Sequence, residues 1–205
     1  EPTLLVGDRI FVSKITYGYS KHSFPFSPNF SNKRFFENDP KQGDLVVFKT
    51  PADNRTDYIK RLIGLPGDEI QFIDGELYIN NNQVLKTLVK SNQAVYCGNS
   101  KIKTVFYDEK LSNGKVYKAV YNSEYSFQNS DKFIIPEKHF FLLGDNRDCS
   151  KDSRFLSEVG YVHEDNLVGK AQFLFFSSDR RKGSIFAFWK WNETLRLNRF
   201  FKKIK

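Results

Sequence analysis

The sequence predicts an all-β protein of mostly antiparallel sheets, with a smaller β lobe inserted into a larger core. Three observations carry this. No stretch keeps a 3.6-residue apolar period long enough for an amphipathic helix. Short apolar or alternating runs recur, each closed by Gly, Pro or Asn turns. Asp74-Gly75 lies between two alternating runs, a strong two-residue hairpin signal. With 205 residues, the chain can bury a sizeable core as one large β domain or two modest ones.

The elements follow in order. Leu4 to Ile15 reads as a turn at Gly7-Asp8 and then a strand, with Ile10, Val12 and Ile15 on its buried side. Residues 17–40 are rich in Ser, Pro, Asn and Phe and form a long loop excursion, of the kind that carries function or mobility. Leu45 to Lys49 is a short buried strand ended by Pro51, and Tyr58 to Ile63 is the next, turned back at Leu65-Pro66-Gly67-Asp68. Glu69–Ile73 and Glu76–Ile79 make the hairpin around Asp74-Gly75. Residues 80–138 turn polar, with alternating stretches at Thr104–Tyr107 and Val116–Val120, and form the inserted lobe. Phe140–Leu143 returns to the core and leads into a charged loop over 144–155. His163 to Asn166 is a turn before two further core strands, Leu167–Ala171 and Phe173–Phe176. The core thus comprises residues 1–79 and 139–178, and an aromatic, basic tail runs over 179–205.

Composition narrows the function. The net charge is +8, which favours anionic partners, nucleic acid or anionic lipid. Nucleic-acid readers cluster their cations on one element, and here they are spread, so nucleic acid is not an expected partner. No cofactor is implied, since nucleotide and metal motifs are absent. His22, His139 and His163 stand isolated from one another and from the cysteines, which speaks against zinc. Cys97 and Cys149 form one disulfide or none, and their spacing does not choose. No run of 18 or more apolar residues is present, so nothing in this sequence reads as a membrane-spanning helix. Aromatic residues make up 16% and many fall in pairs, which suits β-core packing. The Phe24–Phe36 segment and Ile185–Trp191, followed by Arg196, Arg199, Lys202 and Lys203, suit either a lipid interface or packing against a sheet.

Lys60 is the most informative residue. It is a single cation in the apolar run Tyr58-Ile59-Lys60-Arg61-Leu62-Ile63. Burial disfavours its charged form, and a neutral lysine can serve as a general base. The later block Gly144-Asp145-Asn146-Arg147-Asp148-Cys149-Ser150-Lys151-Asp152-Ser153-Arg154 is dense in groups able to orient it. Taken singly, a strand lysine is ordinarily an edge residue and Asp-Asn-Arg-Asp a solvated turn. Cys149 reads as a bystander in that loop.

Four blocks together are specific. Pro2-Thr3-Leu4-Leu5-Val6-Gly7-Asp8, Gly43-Asp44-Leu45-Val46-Val47-Phe48, Tyr58-Ile59-Lys60-Arg61 through Gly64-Leu65-Pro66-Gly67-Asp68, and Gly144-Asp145-Asn146-Arg147-Asp148 through Ser150, Asp152 and Arg154 occur in order. In this the chain resembles the bacterial type I signal peptidases over residues 2 to about 172. The resemblance implies a membrane-anchored serine protease with a Ser/Lys dyad. Such an enzyme removes signal peptides from exported proteins on the outer face of the cytoplasmic membrane. It implies Lys60 as general base, Ser150 as the serine that orients it, and Asp152 with Arg154 as a supporting ion pair, with Arg61 and Asp145 as another. It also implies that Leu4, Tyr58 and Ile59 line the pocket for the −1 residue and Ile10, Val47 and Ile59 that for the −3 residue. These five residues read equally well as core. Signal peptides and the lipid surface are then the expected partners, and a monomer the expected state.

The family's nucleophile lies in a Ser-Met-x-Pro-Thr-Leu motif, where x corresponds to Glu1. That serine, the oxyanion-hole serine and the membrane anchor would all precede Glu1, so residues 1–205 alone are expected to be inactive. Two other readings remain open. One is a Ser/Lys peptidase of the same fold with another task, such as pilin maturation. The other is a non-catalytic relative that binds signal peptides.

Overall fold

The computed structural model describes residues 2–18, 38–179, 183 and 188–204. In chain order the strands are β1 (Asp8–Ser13), β2 (Leu45–Lys49), β3 (Asp57–Gly64), β4 (Glu69–Ile73), β5 (Glu76–Ile79), β6 (Asn82–Gln83), β7 (Leu85–Val89) and β8 (Val95–Cys97). They continue as β9 (Ser100–Ile102), β10 (Thr104–Lys110), β11 (Val116–Asn122), β12 (Phe133–Ile134), β13 (His139–Leu143), β14 (Val162–His163) and β15 (Leu167–Ser177). The described α-helix is a single turn, α1 (Trp191–Thr194). Named strand pairings are antiparallel throughout. The central six-stranded sheet has the order β1-β15-β2-β3-β13-β14. Smaller sheets are β12-β4-β5-β6, β11-β10-β7 and the hairpin β8-β9.

The apolar runs follow from a sheet covered on both faces. In β13, Phe140 and Leu142 join Val46, Phe48 and Leu62 in one cluster. Phe141 and Leu143 join Ile63, Ile70 and Phe72 in another. Successive side chains point to opposite faces, so a strand buried on both sides must be apolar at every position. The second cluster also takes in Leu111, Tyr117, Ala119 and Tyr121 from β11 and the turn before it, so apolar packing crosses from the inserted residues into the core sheet. The β4-β5 hairpin closes with Asp74 at φ 50° and Gly75 at φ 77°, the two positive values that a tight antiparallel turn demands.

Three expectations are corrected, and the open question of the cysteines is answered. Ile15 is 63% exposed, because β1 ends at Ser13 and a 3-10 turn over Ile15–Tyr17 rotates it outward while burying Tyr17. The two expected strands over 167–176 are one, β15, which pairs with β1 and β2 along its two edges. Gln172 continues the strand rather than breaking it, and its exposed side chain lies within the tract of β15 that pairs with β1. His139 and His163 are not isolated from each other: they are cross-strand partners on β13 and β14, with rings 4.9 Å apart. Cys97 and Cys149 are joined in a disulfide with Cα atoms 5.5 Å apart.

The aromatic loop over 24–36 and residues 185–187 of the tail lie outside the described residues. The rest of the tail does two things at once. Residues 195–204 return to β15, where Leu174 N–H donates to Lys202 O and Ile204 N–H to Gln172 O. Arg199 pairs with Asp8, and Arg196 with Asp179. Phe188, Trp189, Trp191, Leu197 and Phe201 remain exposed.

Candidate active site

Strand alternation divides the chemistry of β3. Lys60 shares a face with Tyr58 and Leu62, and Arg61 shares the other with Ile59 and Ile63. Val46 of β2 lies directly opposite Lys60, and Val47 opposite Ile59. Lys60 is half-buried, and its Nζ lies 5.7 Å from the centre of the Tyr58 ring. Burial pushes its pKa below the usual 10.5; the Asp152 and Asp145 carboxylates oppose this, and the Arg154 guanidinium assists it. No described carboxylate reaches ion-pair distance of Nζ, so these charges act on the ammonium only from a distance.

The loop after β13 brings Ser150 to this lysine. A β-carbon placed on Gly144 would stand 1.9 Å from Ser150 Oγ and 3.5 Å from Lys60 Nζ. Hydroxyl and amine therefore flank the same space, open only because residue 144 is glycine. No hydrogen bond joins them in this structure; such contacts often tighten only around substrate. Below them Asp152 and Arg154 form a buried two-bonded pair, Nε–Oδ1 2.8 Å and NH2–Oδ2 2.8 Å. Asp152 Oδ2 also accepts from Gly144 N–H at 3.0 Å, and the Arg154 guanidinium donates to Arg147 O. One carboxylate thus ties both ends of the loop.

On the opposite face Arg61 and Asp145 form a second such pair, Nε–Oδ1 2.8 Å and NH2–Oδ2 2.8 Å. Arg61 NH1 donates to Gly43 O, and the guanidinium lies 4.4 Å from the centre of the Tyr117 ring. Burial would raise the Asp145 pKa, but the Arg61 charge and hydrogen bonds overcome it and hold the carboxyl below its usual value. Thr3 Oγ1 donates to Asp145 Oδ2, and Gln93 Nε2 and Arg199 NH2 donate to the carbonyls of Pro2 and Thr3. These contacts fix the chain just before β1 beside the loop.

A third pair was not expected from sequence. Arg147 and Glu109 are both 1% exposed and 2.5 Å apart. The hydroxyls of Tyr117 and Tyr121 donate to the same carboxylate at 2.6 and 2.7 Å. Glu109 belongs to an alternating polar strand and reads as surface; in the fold Tyr117, Tyr121 and the loop's arginine all close on its carboxylate.

The remaining expected positions are less concentrated. Leu4, Ile10, Val47, Tyr58 and Ile59 are all half-buried. Val47 and Ile59 are cross-strand neighbours on one face, whereas Tyr58 is on the other. Ile10 sits on β1, separated from β2 by β15.

An antiparallel β fold that sets a half-buried lysine beside a serine hydroxyl and two buried Arg–Asp pairs is a candidate hydrolase site. Residues 1–176 match the family described as signal peptidase, peptidase S26. The chain is 42% identical to signal peptidase I of Rickettsia conorii, over 98% of this chain and 80% of that protein. It is 42% identical to that of Rickettsia typhi, over 98% and 81%, and 38% to that of Rickettsia bellii, over 98% and 74%. A solved signal peptidase I from Enterococcus faecalis aligns at TM-score 0.38 and 24% identity, over 65% of this chain and 97% of that one. The chain belongs to the signal peptidase family, peptidase S26.

Proposed function

We propose that this chain is the catalytic part of a membrane-bound signal peptidase that cleaves exported preproteins after small-x-small sites. The observation that carries the reading is the convergence of Lys60 Nζ and Ser150 Oγ beside Gly144. In this reaction neutral Lys60 takes the proton of a serine hydroxyl as its oxygen attacks the scissile carbonyl. The resulting ammonium returns that proton to the leaving amine, and water, activated by the same amine, releases the acyl group. The serine is the one that the family motif places two positions before Glu1, and Thr3 Oγ1, donating to Asp145, holds the adjoining chain beside the loop.

Ser150 orients Lys60, and the Asp152–Arg154 and Arg61–Asp145 pairs fix the loop that holds it. Of the expected pocket residues, the cross-strand pair Val47 and Ile59 would offer a shallow apolar wall that accepts a methyl group and excludes larger side chains, with Leu4, Ile10 and Tyr58 placed apart from it. The exposed Phe188, Trp189, Trp191, Leu197 and Phe201, beside tail cations, meet the lipid surface on the outer face of the cytoplasmic membrane. Among the described residues no helix is long and apolar enough to cross a membrane.

The test is cleavage of an Ala-x-Ala preprotein by the protein extended upstream to its serine. Lys60→Ala is expected to lower kcat by roughly 10³-fold or more. Undiminished cleavage by that variant would remove Lys60 from the reaction.

A further inference from the structure

We propose that the Cys97–Cys149 disulfide positions Ser150 against Lys60, so that the peptidase reaches full rate only with this bond formed. The inference rests on the proposed reaction and adds to it a covalent positioning element.

The loop that carries Ser150 is fastened unevenly. Before it, the Asp148 carboxylate accepts from the backbone N–H of Asn122 at 2.7 Å and of Phe127 at 2.9 Å. After it, Asp152 is held by Arg154 and Gly144. Between these two anchors, the side chains of residues 149–151 make two attachments among the described residues. One is the exposed Lys151–Glu158 pair, which adds little because solvent screens it. The other is the disulfide, on the residue next to Ser150. Among the described residues Ser150 Oγ has no hydrogen-bond partner, so its place beside Lys60 rests on contact with Gly144 and on the chain at Cys149.

The far end of the bond is firm. Cys97 ends β8, whose Val95 is 1% exposed and packs with Phe106 and Val120 in a small apolar cluster. The bond therefore ties the active loop to a packed hairpin 52 residues away in sequence. Cys97 and Cys149 are both half-buried, so a small dithiol can reach them. In that exchange the Cys97–Cys149 bond breaks and the dithiol closes to its own disulfide. Two electrons and two protons pass to the protein as two thiols. Disulfides persist in oxidising compartments, so the tie forms outside the cytoplasm, on the side where this peptidase would meet its substrates.

The experiment uses the full-length protein in detergent and a preprotein substrate. Activity is measured oxidised, after reduction by dithiothreitol, and in Cys97→Ser, which cuts the tie from its far end and leaves the loop sequence intact. Free thiols are counted by mass spectrometry and the fold is followed by circular dichroism. Reduction and Cys97→Ser are expected to lower kcat about tenfold with KM unchanged, since small misplacement of an orienting group costs rate. The rising limb of the pH–rate profile should move to higher pH, because a loosened loop lets water reach the Lys60 amine. Reoxidation should restore the wild type and not the variant. A reduced protein with the oxidised kcat and pH profile would overturn the proposal. So would one that loses its fold on reduction, since the tie would then be global rather than local to Ser150. Full activity of oxidised Lys60→Ala would instead overturn the reaction itself, whatever the thiol state.

Discussion

Ser150 Oγ and Lys60 Nζ stand 1.9 and 3.5 Å from one point, the place a β-carbon on residue 144 would occupy. The space is kept by the absence of a side chain. Gly144→Ala would push Ser150 away from the lysine while adding one methyl at the end of β13. The expected result is a loss of kcat of about 100-fold, the scale of a 1 Å misplacement, with the fold retained. Kinetics with a thermal melt on the same preparation checks it.

The pH dependence of cleavage should report Lys60. Burial holds its pKa below 10.5, so the base gains its neutral form earlier than a surface lysine. Activity should rise with pH and level off above the folded pKa, with its midpoint below 10.5. The same depression makes the folded state bind fewer protons than the unfolded state between the two pKa values, so this lysine weakens the fold below that window. Lys60→Met should therefore be inactive yet more stable at neutral pH, as a urea titration would show. A midpoint at or above the ordinary lysine value would contradict both statements.

Asp145 should appear in acid unfolding. Its folded pKa is lowered from 3.8, so its contribution is present above that value and is lost as pH falls through the folded pKa. Asp145→Asn leaves Arg61 buried without its counter-charge and should cost roughly 3–5 kcal/mol near neutrality. The gap between variant and wild type should then narrow toward low pH. Equal gaps at pH 7 and at the acid limit would exclude this pair as the source.

Glu109 and Arg147 should depend on each other. Glu109→Leu strands a buried guanidinium and should cost roughly 3–5 kcal/mol, whereas adding Arg147→Met should recover most of it. A double-mutant cycle in denaturant measures the coupling. Additive losses would mean that each side chain acts alone.

The sequence made the strands legible wherever the period and the turn agreed. Glu69–Ile73 and Glu76–Ile79 were bounded by Asp74-Gly75, and both strands have those limits. Lys60 stood out because an apolar run makes a lone cation conspicuous, and the two Arg–Asp pairs could be matched through the motif blocks. What escaped was decided by tertiary approach. Glu109 has nothing in its own strand to mark it as buried. The Cys97–Cys149 bond needs two cysteines whose sequence separation is 52, with no pattern between them. His139 and His163 meet only because β14 returns to β13. Ile15 falls outside the two-residue alternation of Ile10 and Val12, at the point where the backbone changes to a 3-10 turn.

β3 carries an ammonium-bearing residue and a guanidinium-bearing residue back to back. A shift of one position in its pairing with β2 would exchange them, turning Arg61 toward Ser150 and Lys60 toward Asp145. Both are cations, so net charge and composition would register nothing, yet the amine would face away from Ser150. Divergence among descendants of this sequence is thus free to lengthen the exposed turn over 51–56 but not to move the strand by a single residue. An alignment that places a gap inside Tyr58–Leu62 can be rejected on that ground alone.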